Sequence, residues 1–261
     1  MDFFVNEILE NEEIKAILLS DDCQKAQAKE TADKIKSTGE IPTLESGILP
    51  IMVLAYLADY ALQKNGKRGI SKNVTVCTLK DINVWLDNYR NQYGKPGLAE
   101  FCWLKHHYTG DLFKLGRLQF RIEKSTQGIP SGETVIETHI PQGEPLDAQQ
   151  CIESFQTAKT FFSKHFPEYS PQYFMCDSWL LNPNLSKVLN ENSNIVKFMR
   201  LWQPFPFPGD DSAQAIERVF GFGFKAENIA NAPENTSLQK SLKAFLLSGG
   251  TIDLTAGYRK I

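Results

Sequence analysis

The chain has 261 residues, 42% of them hydrophobic, and a formal net charge of -3 at pH 7. That length supports one large or two medium domains with a sizeable core. The weakly acidic balance, with lysines and arginines in no long run, excludes the broad positive field on which nucleic-acid binding depends.

Residues 1 to about 109 read as one helix after another. Phe3, Phe4, Ile8, Ile14, Ile17 and Leu18 recur at roughly helical spacing, and Asp21 or Asp22 can start a second helix that ends in KSTGEIP. The apolar stretch from Ile48 to Leu62 predicts a buried central helix stopped by KNGKRG; it is short for a bilayer span and contains Asp59. Thr78 stands where a cap would precede LKDINVWLDNYRNQYG, whose apolar stripe is Ile82, Trp85, Leu86 and Tyr89 and whose stop is Gly94. A further helix is predicted from Gly97 to Tyr108, broken by Thr109 and Gly110.

At Asp111 the period changes from that of a helix to that of a strand. In LFKLGRLQFRIEK, Leu118, Phe120 and Ile122 alternate with Arg117, Gln119 and Arg121, as in a strand with one buried face. STQGIPSGE reads as a turn and TVIETHI as a second strand, so the two form an antiparallel hairpin. The bend PQGEP then leads into a helix reaching Phe166, with Ile152, Phe155, Ala158 and Phe162 on its stripe. PQYFMCDSWLL suits a central strand covered on both faces. A short helix from Pro183 to Leu189, a strand in NIVKFMRLWQPF, a stiff PFPFPGDD connection, helices near 212–219 and 237–247, and a last strand in TIDLTAGYRKI complete the order. The predicted division is a helical domain, 1–109, and a sheet-containing domain, 110–261.

The candidate chemistry gathers at ETHIPQGEPLDAQQC. Asp147 can cap the following helix, with Gln150 completing an approximate capping box and Leu146 with Cys151 an approximate hydrophobic staple. Free amides at such a start carry partial positive charge, so an anion can sit against Gln142, Gly143 and the first turn. The alternative is that Asp147 satisfies those amides and the glycine serves the bend. His139 shares a strand face with Glu137 and Val135; an imidazole beside a carboxylate can work as a general base near neutral pH, or the three can form a solvated face. Asp177, which interrupts an apolar strand, reads either as a buried carboxylate that needs partners or as a strand-end aspartate bonding a neighbouring backbone amide. Tyr258 is a candidate proton donor or an ordinary surface tyrosine. Cys151 with His139 gives a thiol-dependent hydrolase as a third option, although the staple position favours packing. The five cysteines have no C-x-x-C and are expected to be reduced and mostly buried; Cys102, His106 and His107 lack obvious further ligands, so no metal is expected. With an acidic N-terminus unlike a secretory signal, the expected setting is a bacterial cytoplasm, without a membrane or nucleic-acid partner.

FCWLKHHYTGDLFKLGRLQF followed by HIPQGEPLD resembles a family of bacterial acyltransferases that join an all-helical N-terminal domain to a GNAT-like C-terminal domain, and the similarity extends through SWLLNP to NSNIVKF. The resemblance implies an α+β or α/β fold with a mixed, mainly antiparallel sheet flanked by helices. It implies acyl-coenzyme A as co-substrate, with Ile140, Gln142, Gly143 and Ala148 at its pyrophosphate. By position it makes Glu137 and His139 the general-base candidates, with Asp177 added from the strand pattern. The implied reaction moves an acyl group from a thioester to an amine or hydroxyl of a small-molecule acceptor. Glu144 and Pro145, which bring a negative charge and lack an N–H, keep open an alternative: a non-catalytic module for a small ligand or protein partner.

Overall fold

A computed structural model of the chain describes residues 1–20, 22–125, 132–205 and 207–261. Asp21, residues 126–131 of the expected STQGIPSGE turn and Pro206 of the Pro-rich tract lie outside these. The chain divides into two units: Met1–Leu115 with Pro141–Gly143, and Gly116–Ile140 with Glu144–Ile261.

The first unit begins with a π-helical turn, Phe4–Ile8, and continues through α1 (Glu12–Ser20), α2 (Asp22–Thr38), α3 (Ile48–Lys67), α4 (Lys72–Leu79), α5 (Ile82–Tyr93) and α6 (Phe101–Tyr108) to a strand, β1 (Leu112–Leu115). Helix α3 is apolar nearly all round and is buried from Pro50 to Ala55, as such a helix must be. Ala28 and Ala32, one turn apart on α2, are fully buried in the same core. Gly94 ends α5 in the left-handed region, φ 68°, with its amide on the Arg90 carbonyl. Two expectations are corrected here. Thr78 does not cap the helix it precedes: it lies inside α4, where its Oγ1 accepts from Lys114 N at 2.8 Å, and α5 starts after Asp81 without a side-chain cap, whereas α4 itself is capped by Ser71, whose Oγ accepts from Val74 N. The helix expected from Gly97 starts at Phe101 because Leu98 is instead bridged to Gly47 in extended form.

The second unit contains β2 (Leu118–Lys124), β3 (Thr134–His139), α7 (Ala148–His165), β4 (Tyr173–Ser178), α8 (Leu185–Val188), α9 (Asn194–Met199), β5 (Gln203–Phe205), α10 (Ala213–Phe220), α11 (Ser237–Leu247) and β6 (Thr255–Lys260). Its strand order is β2-β3-β4-β6-β5. The β2–β3, β4–β6 and β5–β6 pairs are antiparallel and β3–β4 is parallel. The expected hairpin is present. The alternation read as one strand from Leu112 is interrupted, however, because Gly116 turns the chain at φ 73°, where an added Cβ would stand 2.6 Å from Ser154 Oγ. NIVKFMRLWQPF is also corrected. Ser193 Oγ accepts from Val196 N and starts α9, so Val196 and Phe198 are buried from a helix and strand pairing begins at Gln203.

One face of this sheet is apolar and lies under α7. Phe120 and Phe174 meet Phe155 with ring centroids 5.9 and 4.9 Å away, and Trp202 closes the group at 5.4 Å from Phe155. Beyond β4 the chain is fixed by polar contacts: Trp179 N donates to Gln214 Oε1, and Asn182 Nδ2 donates to the Asp253 carbonyl. These hold the strand end that carries Asp177. Among the described residues, no helix is long and apolar enough to cross a membrane.

Candidate active site

Alternation places Glu137 and His139 on the sheet face opposite the phenylalanines. The hairpin register sets Gln119 opposite His139 and Arg121 opposite Glu137. Glu137 therefore accepts from Arg121 Nε, and its Oε2 lies 3.2 Å from His139 Nε2; both partners of this last contact are about three-quarters buried, with side chains 22% and 23% exposed. The Arg121 guanidinium also reaches Glu123 Oε2 at 2.8 Å.

Asp177 joins the same face from β4. The parallel register pairs Glu137 with Met175, and Asp177 follows two residues later, near the end of its strand. Pairing of β3 with β4 covers Ile136↔Phe174 and Glu137↔Met175, while each strand is six residues long. The last residues of both strands thus lie beyond the ladder, and His139 and Asp177 are among them. Asp177 is exposed, near the strand end, rather than a buried mid-strand carboxylate; it remains paired with Ala256 of β6 but has no β3 partner.

The two carboxylates titrate apart. Burial alone would raise Glu137, but hydrogen bonding and charge from His139, together with Arg121, outweigh it and bring its pKa down to about 2. For Asp177, partial desolvation first and the Glu137 charge second push the pKa up to about 6, with His139 acting the other way, although the side chain still reaches solvent. Glu137 is consequently a fixed charge at neutral pH, and Asp177 is a carboxyl able to change state near it.

The loop and helix after β3 follow the expected cap. Asp147 Oδ1 accepts from Gln150 N at 3.0 Å, and Ala148 opens α7. Among the described residues the amides of Ala148 and Gln149 have no acceptor, as a helix start requires. Arg117, which the sequence offered only as part of a polar face, is buried; its Nε and Nη2 donate to the carbonyls of Pro145 and Glu144 at 2.9 and 2.7 Å and so pin the approach to α7. Ile140 is half-buried immediately after β3, whereas Gln142 and Gly143 are exposed and grouped with the first unit, where Gln142 Oε1 accepts from Asn88 at 3.1 Å. Gly143 has φ 113°, with open space where a Cβ would be.

Other candidates are dispersed. Cys151 is buried, and desolvation pushes its thiol up to about 11, which disfavours the thiolate the hydrolase option needs. Cys23, Cys77 and Cys102 are exposed, against the expectation of mostly buried thiols, because they lie on the outer faces of their helices. Cys102 is exposed, and His107, beside His106, is buried with Nε2 3.3 Å from Asp81 Oδ2. Tyr258 lies on the same sheet face as Asp177, its ring 5.7 Å from that of Tyr173. A concavity of about 430 Å³, lined by Ile136, Lys159, Tyr169, Gln172 and Ile261 among others, lies at the other end of β4 from Asp177. The sequence did not single out Arg121 as the partner of Glu137; the signal was the hairpin register, which depends on the turn.

Comparison with known proteins now bears on this geometry. Residues 112–259 match the model of the GNAT-like C-terminal domain, and residues 4–110 match the N-acyltransferase N-terminal domain. No protein of curated function matches the chain. Among solved structures, a mutant acyltransferase in complex with octanoyl-CoA is similar at TM-score 0.81 and 22% identity, over 99% of this chain and 86% of that one. An acyltransferase in complex with decanoyl-CoA and teicoplanin is similar at 0.76 and 23%, over 99% and 82%. An acyltransferase in complex with decanoyl-CoA is similar at 0.76 and 25%, over 91% and 76%.

Proposed function

From the premise that the chain belongs to the GNAT-like C-terminal domain family, we propose that it moves an acyl group from an acyl-coenzyme A thioester to an amine or hydroxyl of a small-molecule acceptor. The observation that carries this reading is the grouping of Glu137, His139 and Asp177 where β3 and β4 cease to pair. Acyl-coenzyme A bound to a similar chain makes medium-length acyl groups the first donors to try. A similar chain complexed with teicoplanin makes teicoplanin the first acceptor to try. A cytoplasmic setting, where acyl-coenzyme A is found, belongs to the same reading, as does a helical domain ending near residue 109.

In this mechanism the acceptor nitrogen attacks the thioester carbonyl carbon, the C–N bond forms, the C–S bond breaks, and the thiolate leaves with the electron pair. Glu137 keeps its charge 3.2 Å from Nε2 of His139, and proton transfer from the acceptor is assigned to this imidazole. Asp177, ionised at pH 7, attracts the acceptor ammonium and helps to remove its proton. The residues present suit the donor: the amides of Ala148 and Gln149 at the start of α7 are assigned to its pyrophosphate, with Ile140 beside them. Gln142 and Gly143 belong to the other unit and remain expectations from the sequence.

Calorimetric titration with octanoyl- and decanoyl-coenzyme A tests the reading, and silence with both at millimolar concentration would remove it. The pH profile tests the role of Asp177. Its carboxyl is raised, so it is charged above about pH 6 and neutral below, and kcat/KM should climb as pH passes upward through about 6. Asp177→Asn should flatten that rise and lower the plateau by about tenfold or more. A variant profile superimposable on that of the parent would exclude Asp177 from the chemistry.

A further inference from the structure

Gln119 is the cross-strand partner of His139, so the two side chains leave the sheet on one face as close neighbours. The residue is 1% exposed, and its Nε2 has no hydrogen-bond partner among the described residues. Folded proteins rarely keep a buried primary amide in that condition without a use for it. Thr138 Oγ1 and Arg259 Nη1 are similarly placed, but alternation and register put both on the phenylalanine face. Glu137, an acceptor on the same face, is already in contact with Arg121 and His139. An amide N–H cannot take a proton from an amine, but it matches an oxygen that gains negative charge.

We propose that Gln119 Nε2 donates a hydrogen bond to the carbonyl oxygen of the acyl thioester and stabilises that oxygen as the acceptor attacks. This rests on the acyl-transfer reading above. Gln119 gives up no proton: the carbonyl electron pair moves onto oxygen when the C–N bond forms and returns when the C–S bond breaks. The pairing divides the labour on this face. Carboxylates and imidazole deal with the nucleophile, and the amide deals with the electrophile.

The test compares octanoyl-coenzyme A with the S-octyl-coenzyme A thioether, which has the same chain but no carbonyl. The parent protein should prefer the thioester by about three- to tenfold, the range of one neutral hydrogen bond. Gln119→Met should lose that preference, keep its affinity for the thioether, lower kcat by about a hundredfold, and melt no lower than the parent because a buried unpartnered amide is gone. Gln119→Glu, close in shape but carrying only acceptors when ionised, should lose the preference too. If either variant folds and keeps both the preference and kcat, Gln119 has no such role. A fall in melting temperature with the preference intact would make the residue structural and overturn the proposal. If the parent binds neither compound, the acyl-transfer reading itself fails; if it binds both and the variants keep its preference, only the assignment of Gln119 fails.

Discussion

His139→Ala should lower kcat/KM for acyl transfer by about a hundred- to ten-thousand-fold, the span expected for loss of a positioned proton acceptor. The imidazole is held by a carboxylate that remains ionised, its Nε2 3.2 Å from Glu137 Oε2, and it stands past the end of the β3–β4 ladder where the strands no longer occupy each other. Removing it leaves Glu137 paired with Arg121, so the local charge balance survives. The loss should therefore fall on kcat, with the KM for the acyl donor changed little and the melting temperature near that of the parent. Steady-state kinetics with a thiol-release readout measures this, and a variant within threefold of the parent would show that His139 does not handle the proton.

Phe155→Ala should destabilise the fold by about 3–5 kcal/mol, the cost of emptying a large aromatic site. Its ring lies among those of Phe120, Phe174 and Trp202, and the Arg259 guanidinium stacks on it at 4.4 Å. Truncation leaves a cavity between α7 and the sheet and takes the aromatic face from a cation whose Nη1 is buried with no hydrogen-bond partner among the described residues. Denaturant unfolding followed by tryptophan fluorescence measures the change, with Trp202 as a local reporter. A loss below about 1 kcal/mol would mean that the α7–sheet core does not depend on this ring.

Local features of the second unit were legible in the sequence. The hairpin, the Asp147 cap and the α7 stripe each depend on residues within a turn or two of one another; the hairpin and cap stand as expected, and of the stripe Phe155, Ala158 and Phe162 are buried while Ile152 is only partly so. Features that depend on distant pairing were not. Val196 and Phe198 alternate as strand residues do, yet Ser193 caps a helix too short for its period to show. The single glycine at 116 divides an alternation that looked continuous, because its left-handed backbone turns the chain. Glu137 and His139 were visible as neighbours on one strand face. Their links to Arg121 and Asp177 required the hairpin register and the parallel neighbour, neither of which is encoded within a short window. Gln119 read as one of several polar residues on a strand, and its burial followed only from the assembled sheet.

In a crystal structure with octanoyl-coenzyme A bound, the carbonyl carbon should lie beside His139 at the C-terminal ends of β3 and β4, with the pyrophosphate against the amides of Ala148 and Gln149. Acyl-coenzyme A seated instead in the concavity lined by Lys159, Tyr169, Gln172 and Ile261, away from His139, would contradict that placement.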